Sequence, residues 1–267
     1  KMQLLDVVFR SEKRKNMLLL LQDGPKEMET ILKSLKTTRQ ALLPQVRILE
    51  NCNLVSQQDD SYELTTIGKL IVDEMIPLLE TMTVLDNDIE YWGKHNLDFI
   101  PPELLKRFHE LGTCDVIEPS LADIFEINKE FCEKTKESRT LYQITTYLHP
   151  NFSFIVSGWI KHSVDVHIII TEELLEKLKE QDDESLKGFI KSGQVKFYLY
   201  PGELRFISFA INDYCVLFRL LGKANVYDNK QLMTCNPSAL EWGRDFFEYF
   251  KKDAMPVLDI KRAVANV

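Results

Sequence analysis

Between residues 11 and 72, three short segments of helical apolar period are separated by polar turns, and two short β-rich segments follow at once. Few folds accept that order in so little chain. Asp23-Gly24-Pro25 is expected to close one helix and open the next, because Pro at a first helical position lacks only an N–H that would be unpaired anyway. Met28, Ile31, Leu32 and Leu35 then fall on one face of a supporting helix. After Lys36, Thr37-Thr38 offers a hydroxyl N-cap to a third helix. There Arg39, Gln40, Gln45 and Arg47 are interleaved with Ala41, Leu42, Leu43, Val46, Ile48 and Leu49, so the apolar set is expected to face a core and the polar heads solvent. Leu54 to Gln58 and Tyr62 to Leu64 read as strands around the turn cluster Asp59-Asp60-Ser61.

Helix, turn, helix and hairpin in this order make a winged helix-turn-helix over residues 1–68, and the ligand such a module implies is double-stranded DNA. The outward residues suit that ligand chemically. Arg39, Arg47, Gln40 and Gln45 match guanine and adenine edges, while Lys33, Lys36, Thr37 and Thr38 suit phosphate oxygens. Two features depart from a simple picture. Pro44 inside the third helix removes one backbone bond, at about 3 kcal/mol, and predicts a kink or a late start that shifts contacts toward Gln45 and Arg47. The turn at Asp59 and Asp60 is acidic and would meet phosphates unfavourably.

Charge agrees modestly. Thirty-three Lys and Arg against forty-one Asp and Glu give a net charge of −8, yet residues 1–68 hold ten basic and nine acidic groups. From Lys26 to Arg47 the count is five basic against two acidic, and Lys13, Arg14 and Lys15 form a second basic cluster. A local basic face on an acidic chain implies salt-dependent DNA binding.

The string Tyr62, Leu64, Thr65 and Gly68, following the third helix, Leu54-Val55 and a polar turn, resembles archaeal winged-helix transcriptional regulators of the ArsR-like type. Leu42-Leu43-Pro44-Gln45 and Ile100-Pro101-Pro102-Glu103-Leu104-Leu105 are similar to regulators of filament formation in methanogens, which carry a distinctive C-terminal domain. The resemblance implies a DNA-binding transcription regulator.

The 267 residues are 45% hydrophobic, enough for two cores. No stretch approaches the roughly 18 apolar residues that span a bilayer and no signal-peptide pattern is visible, so a cytoplasmic location and no membrane partner are expected. Cys52, Cys114, Cys132, Cys215 and Cys235 are scattered and odd in number, which argues against a disulfide framework or structural zinc; most read as buried thiols.

From Ile67 through Leu70, Ile71, Met75, Leu78, Leu79, Met82, Leu85, Ile89 and Trp92, apolar residues step by threes and fours over roughly seven turns. This stripe outlasts the small domain, so residues 69–112 are expected to hold a long helix and a connector, with dimerisation on the helix preferred to docking within the chain. Residues 113–267 read as an α/β domain. Its strands are expected at Leu141 to Tyr147 and Val164 to Ile170, linked by a helix from Asn151 to Lys161, as a βαβ unit. A helix over 171–191 interrupted at Gln181-Asp182-Asp183, a β meander over 195–221 and a closing helix from Ala239 to Phe250 complete it. The fold class is therefore α+β / α/β: an N-terminal winged helix, a long linking helix and a C-terminal sensor-like domain.

No catalytic motif stands out. A phosphodiesterase-like His-x-Lys string is absent, and His162 and His167, placed in one strand, would point to opposite faces and hold no metal. The domain is expected to be neither an enzyme nor cofactor-dependent but to sense a small molecule or a protein, with Tyr147, His149, Trp159, Arg205 and Arg219 as the candidate effector group. The reading is a homodimeric DNA-binding regulator. Its rival is a winged-helix protein-interaction module that does not bind DNA.

Overall fold

The structure is a computed structural model that describes residues 3–120 and 128–258. The chain divides into two compact units, Lys1–Leu79 and Glu80–Val267.

The first unit contains α1 (Leu4–Phe9), α2 (Glu12–Leu20), β1 (Lys26–Glu27), α3 (Met28–Leu35), α4 (Arg39–Asn51), β2 (Val55–Gln58), β3 (Ser61–Leu64) and the start of α5 (Thr66–Asp86). Met17 and Leu18 of α2, Met28 and Ile31 of α3, and Leu42, Val46 and Leu49 of α4 are almost fully buried and meet Val55, Tyr62 and Leu64 of the strands. Burying each such side chain contributes about 1.5–3 kcal/mol.

Pro25 does not open a helix: Gly24 turns the chain at φ 112° and residues 26–27 form β1, antiparallel to β3, so α3 starts at Met28, whose N–H donates to the Asp60 carbonyl at 3.1 Å. Two residues are too few to show a strand period; the free edge of β3 stabilises them. Nor does Pro44 delay α4, which begins at Arg39 and runs to Asn51 with Pro44 inside. The bond lost at Pro44 is offset by the three sealed residues Leu42, Val46 and Leu49 on the opposite side.

The Leu-Thr-x-x-Gly string has a direct physical basis. Leu64 is buried, and the Thr65 hydroxyl caps α5 by accepting the Gly68 N–H at 3.0 Å while donating to the Asn53 carbonyl at 2.5 Å. Gly68 lies so close to the Leu54 carbonyl that a Cβ would fall 2.0 Å from its oxygen.

The apolar stripe that begins at Ile67 is split. Helix α5 stops at Asp86 and α6 (Ile89–Lys94) starts afresh on an Asp88 cap. Val72 and Met75 are buried, whereas Ile67, Leu70 and Leu78 are exposed, so the period marked the helix but not its buried side.

The second unit continues with α7 (Pro102–Lys106), β4 (Asp115–Ile117), α8 (Lys129–Lys136), β5 (Thr140–Thr145), α9 (Phe152–Lys161), β6 (Asp165–Ile170), α10 (Glu172–Ser192), β7 (Val195–Leu199), β8 (Ser208–Ile211), β9 (Val216–Arg219), β10 (Gln231–Thr234), α11 (Pro237–Lys251) and β11 (Met255–Pro256). The strands form one sheet in the order β11-β7-β6-β5-β8-β9-β10-β4. β5, β6 and β7 are parallel, as helical crossovers require, and the remaining pairs are antiparallel. The meander expected over 195–221 is thus divided: β7 joins the parallel set on one side of β5, and β8 and β9 lie on the other. Helix α10 carries its expected break at Asp182, at φ −157°.

Residue parity along each strand assigns the two layers. Ile144, Phe209 and Phe218 pack with Trp242, Phe246 and Phe250 of α11, whereas Leu141, Ala210 and Met233 pack with Phe131 of α8 and Val156 and Trp159 of α9. The aromatic set of the closing helix is core: Trp242 and Phe246 stack at 5.4 Å.

His162 caps the end of α9 and is not in the strand with His167. Cys215 and Cys235, twenty residues apart, form a disulfide, because the Val216–Thr234 pairing of β9 and β10 brings the residues just outside those strands face to face.

Candidate nucleic-acid interface

Helix α3 is closed by Lys36, the residue after Leu35, which adopts the left-handed conformation at φ 48° and ψ 48°. That residue turns the chain so that only Thr37 and Thr38 follow it before α4 begins; the Thr37 N–H returns to the Leu32 carbonyl at 3.1 Å. Thr38 caps α4, and its carbonyl accepts from the Leu42 N–H at 3.0 Å. The first turn of α4, with Thr38, Arg39 and Gln40 exposed, therefore stands at the surface, and a helix N-terminus is an environment favourable to anions.

Of the eight residues expected to meet DNA, Lys33, Lys36, Thr38, Arg39, Gln40 and Arg47 are exposed, and Thr37 is half-buried in the turn. Gln40, Pro44, Arg47 and Asn51 follow one another at helical spacing on the open side of α4. Gln45 is placed differently. Its Oε1 accepts from Arg14 Nη1 at 2.6 Å, on the side of α4 that packs within the unit. Arg14, expected in an exposed basic cluster, is buried: its Nε donates to the Val7 carbonyl at 2.5 Å and its Nη2 to the Asp6 carbonyl at 3.1 Å. An arginine that ties α1, α2 and α4 together is a structural cation, and no pattern within residues 11–15 distinguishes it from its exposed neighbours.

The acidic turn has a specific partner. Arg39 Nη2 lies 3.0 Å from Asp60 Oδ1 with both side chains more than half exposed, so the β2–β3 turn holds the first arginine of α4. Asp59 occupies the left-handed position of that turn at φ 56°.

In the second unit, three of the five residues grouped as an effector site, Tyr147, Trp159 and Arg219, line one cavity. The other two lie elsewhere: His149 lines a separate depression beside α10, and Arg205 faces Glu203 at 3.5 Å. Gln143, Ser208 and Gln231 share the cavity with Arg219 and were not singled out in the sequence, since only strand register joins them. His167 is hydrogen-bonded on both ring nitrogens, to Tyr198 and Asp165, each at 3.0 Å. Burial pushes its pKa down despite the Asp165 carboxylate. Among the described residues, no three His, Cys, Asp or Glu side chains are grouped to hold a metal, and no helix is long and apolar enough to cross a membrane.

Residues 2–83 match the N-terminal domain of the methanogenesis regulatory protein FilR1, and residues 124–253 match the middle domain of the same protein. The FilR1 of Methanothrix harundinacea (strain 6Ac) is 23% identical over 250 residues, which cover 91% of this chain and 56% of that protein. The chain thus spans little more than half the length of this curated relative. Among solved structures, the archaeal chromatin protein TrmBL2, described as showing a novel mode of DNA binding, is similar at a TM-score of 0.42 and 16% identity over 94% of this chain and 96% of that one. The phospholipase D family member Nuc from Salmonella typhimurium is similar at 0.36 and 14% identity, over 54% and 97% respectively. The two matches together take in most of the sequence, each to a separate domain of the methanogenesis regulatory protein FilR1.

Proposed function

We propose that this chain is a cytoplasmic, DNA-binding transcription regulator of the winged helix-turn-helix, ArsR-like kind. In this reading α4 enters the major groove, Arg39, Gln40 and Arg47 meet base edges, and Lys33, Lys36, Thr37 and Thr38 position the helix on phosphates. The observation that carries it is the two-sided character of α4: Leu42, Val46 and Leu49 are sealed, while Arg39, Gln40 and Arg47 stay exposed. Gln45 keeps a positioning role through Arg14. Similarity to two domains of a regulatory protein supports the same conclusion.

The reading includes a homodimer. Ile67, Leu70 and Leu78 lie within one side of α5 and are exposed, and a second copy across a two-fold axis would cover them and supply the second recognition helix that paired half-sites need. The second unit senses a small molecule or partner and changes the affinity of the dimer for DNA, which requires that the effector bind one arrangement better than another.

Fluorescence anisotropy with a random-sequence duplex across a salt series tests the reading. Affinity falls steeply with salt. In a dimer, Lys33→Ala with Lys36→Ala removes four phosphate contacts and lowers the log–log slope by about 3–4. A second reading, a protein-interaction module, is favoured by the Arg39–Asp60 pair and the net charge of −8; it predicts no salt-dependent retention on DNA.

A further inference from the structure

The sheet face under α8 and α9 carries a buried polar row where an apolar layer is expected. Gln143, Ala210 and Leu217 follow one another across β5, β8 and β9, and Met233 continues the line on β10. One step along, Thr145 is opposite Ser208 and Ser208 opposite Arg219, while Gln231 on β10 is one residue beyond the Leu232–Phe218 pair, on the Arg219 side. Exposures of 2% for Thr145, 9% for Ser208, 8% for Arg219 and 4% for Gln231 mean that four polar side chains in a row are withdrawn from water.

Arg219 is the anomaly. A buried guanidinium ordinarily has a carboxylate beside it, because an unpaired buried charge is strongly unfavourable. Among the described residues, none supplies an acidic group within ion-pair distance of Arg219. Its Nη1 donates to the Tyr147 hydroxyl at 2.8 Å and its Nη2 to the Tyr227 hydroxyl at 3.4 Å, and the guanidinium lies 5.1 Å from the centre of the Tyr147 ring. Its Nε is buried without a hydrogen-bond partner, and so is Oε1 of Gln143. Both residues line the same cavity of about 70 Å³, whose other walls include Phe131, Leu141, Trp159 and Leu217.

We infer that this cavity binds a short-chain hydroxycarboxylic acid, with the carboxylate on Arg219, the hydroxyl on Gln143 and the aliphatic body against Phe131 and Trp159. A carboxylate supplies the missing anion in the planar geometry that the guanidinium fork accepts. It cannot satisfy the Gln143 oxygen, which needs a donor; a hydroxyl on the neighbouring carbon provides one, and serves equally if the amide is turned over. A lone cation with no convergent backbone N–H groups is a poor phosphate site by comparison. The volume, set against the roughly 10–15 Å³ of such space that admits one water, suits a ligand of a few heavy atoms. The inference names the effector class for the sensing role proposed above and rests on that reading only for its consequence at DNA.

The test uses the whole chain, thermal unfolding and the probes glycolate and lactate, with propionate, 1-propanol and inorganic phosphate alongside. A 2-hydroxy acid at 100 times its Kd is expected to raise Tm by about 5–10 °C, saturably. Propionate is expected to act more weakly, and propanol and phosphate not at all. Arg219→Met, which removes a buried charge without removing volume, is expected to fold and to lose the shift, whereas Gln143→Leu is expected to keep a shift but no longer separate lactate from propionate. No saturable shift with either hydroxy acid, or an undiminished shift in Arg219→Met, overturns the assignment. DNA anisotropy on the same samples is a separate readout: intact salt-dependent binding with no ligand shift refutes the effector class alone, and a ligand shift without DNA binding supports the cavity while refuting the regulator.

Discussion

Replacing Asp60 by Asn tests whether the β2–β3 turn restrains the helix proposed to read DNA. Asp60 Oδ1 lies 3.0 Å from Arg39 Nη2, with 53% and 56% of the two side chains exposed. A pair so exposed is worth about 0.2–1 kcal/mol, most of it screened at high salt. Freeing Arg39 is therefore expected to tighten binding to a random duplex by about 1.4- to 5-fold per protomer, with further gain from removing a negative charge near the phosphates. The backbone is untouched, because the Asp60 carbonyl still accepts the Met28 N–H. Anisotropy at low and near-physiological salt measures the effect, which is expected to shrink as salt rises. Arg39→Ala and the double variant complete a cycle: if the pair is responsible, Asp60→Asn gains nothing in the Arg39→Ala background beyond the general charge effect. Equal gains in both backgrounds, or no gain in either, would refute the reasoning.

Gly68→Ala places a Cβ 2.0 Å from the Leu54 carbonyl oxygen, a backbone atom that cannot swing aside, and is expected to lower stability by about 1–3 kcal/mol in denaturant melts. Replacing Cys215 and Cys235 together by Ala opens a loop of twenty residues and is expected to cost about 3 kcal/mol; equal melts of the native and variant proteins under non-reducing conditions would contradict this. Burial pushes the Cys114 thiol up to about 12 and the Cys132 thiol up to about 11, from 9.0. Both are expected to resist iodoacetamide at neutral pH until the chain unfolds. Raised pKa values mean that the unfolded chain loses these protons first, so stability is expected to be level below pH 9 and to fall as pH rises toward the folded values, as pH-dependent melts will read.

What the sequence carried was local. The apolar spacings of α3 and α4, the Thr38 cap, the Asp59-Asp60 turn, the apolar run of β6 and the break in α10 are each written within a few residues, because helix period, capping and turn chemistry act over one or two turns of chain. Even the spacing of Leu64, Thr65 and Gly68 was visible as a string, although its reason, a cap and a close approach to Leu54, was not. Tertiary structure decided whatever depends on a partner distant in sequence. Gln45 turns inward because Arg14, thirty-one residues away, reaches it; Lys26 and Glu27 become a strand because β3 leaves an open edge. Cys215 meets Cys235, and Thr145, Ser208 and Arg219 come into line with Gln231 nearby, only through the pairing of four strands. Register is set by packing over the whole sheet, and a shift of one residue would send each of these side chains to the opposite face.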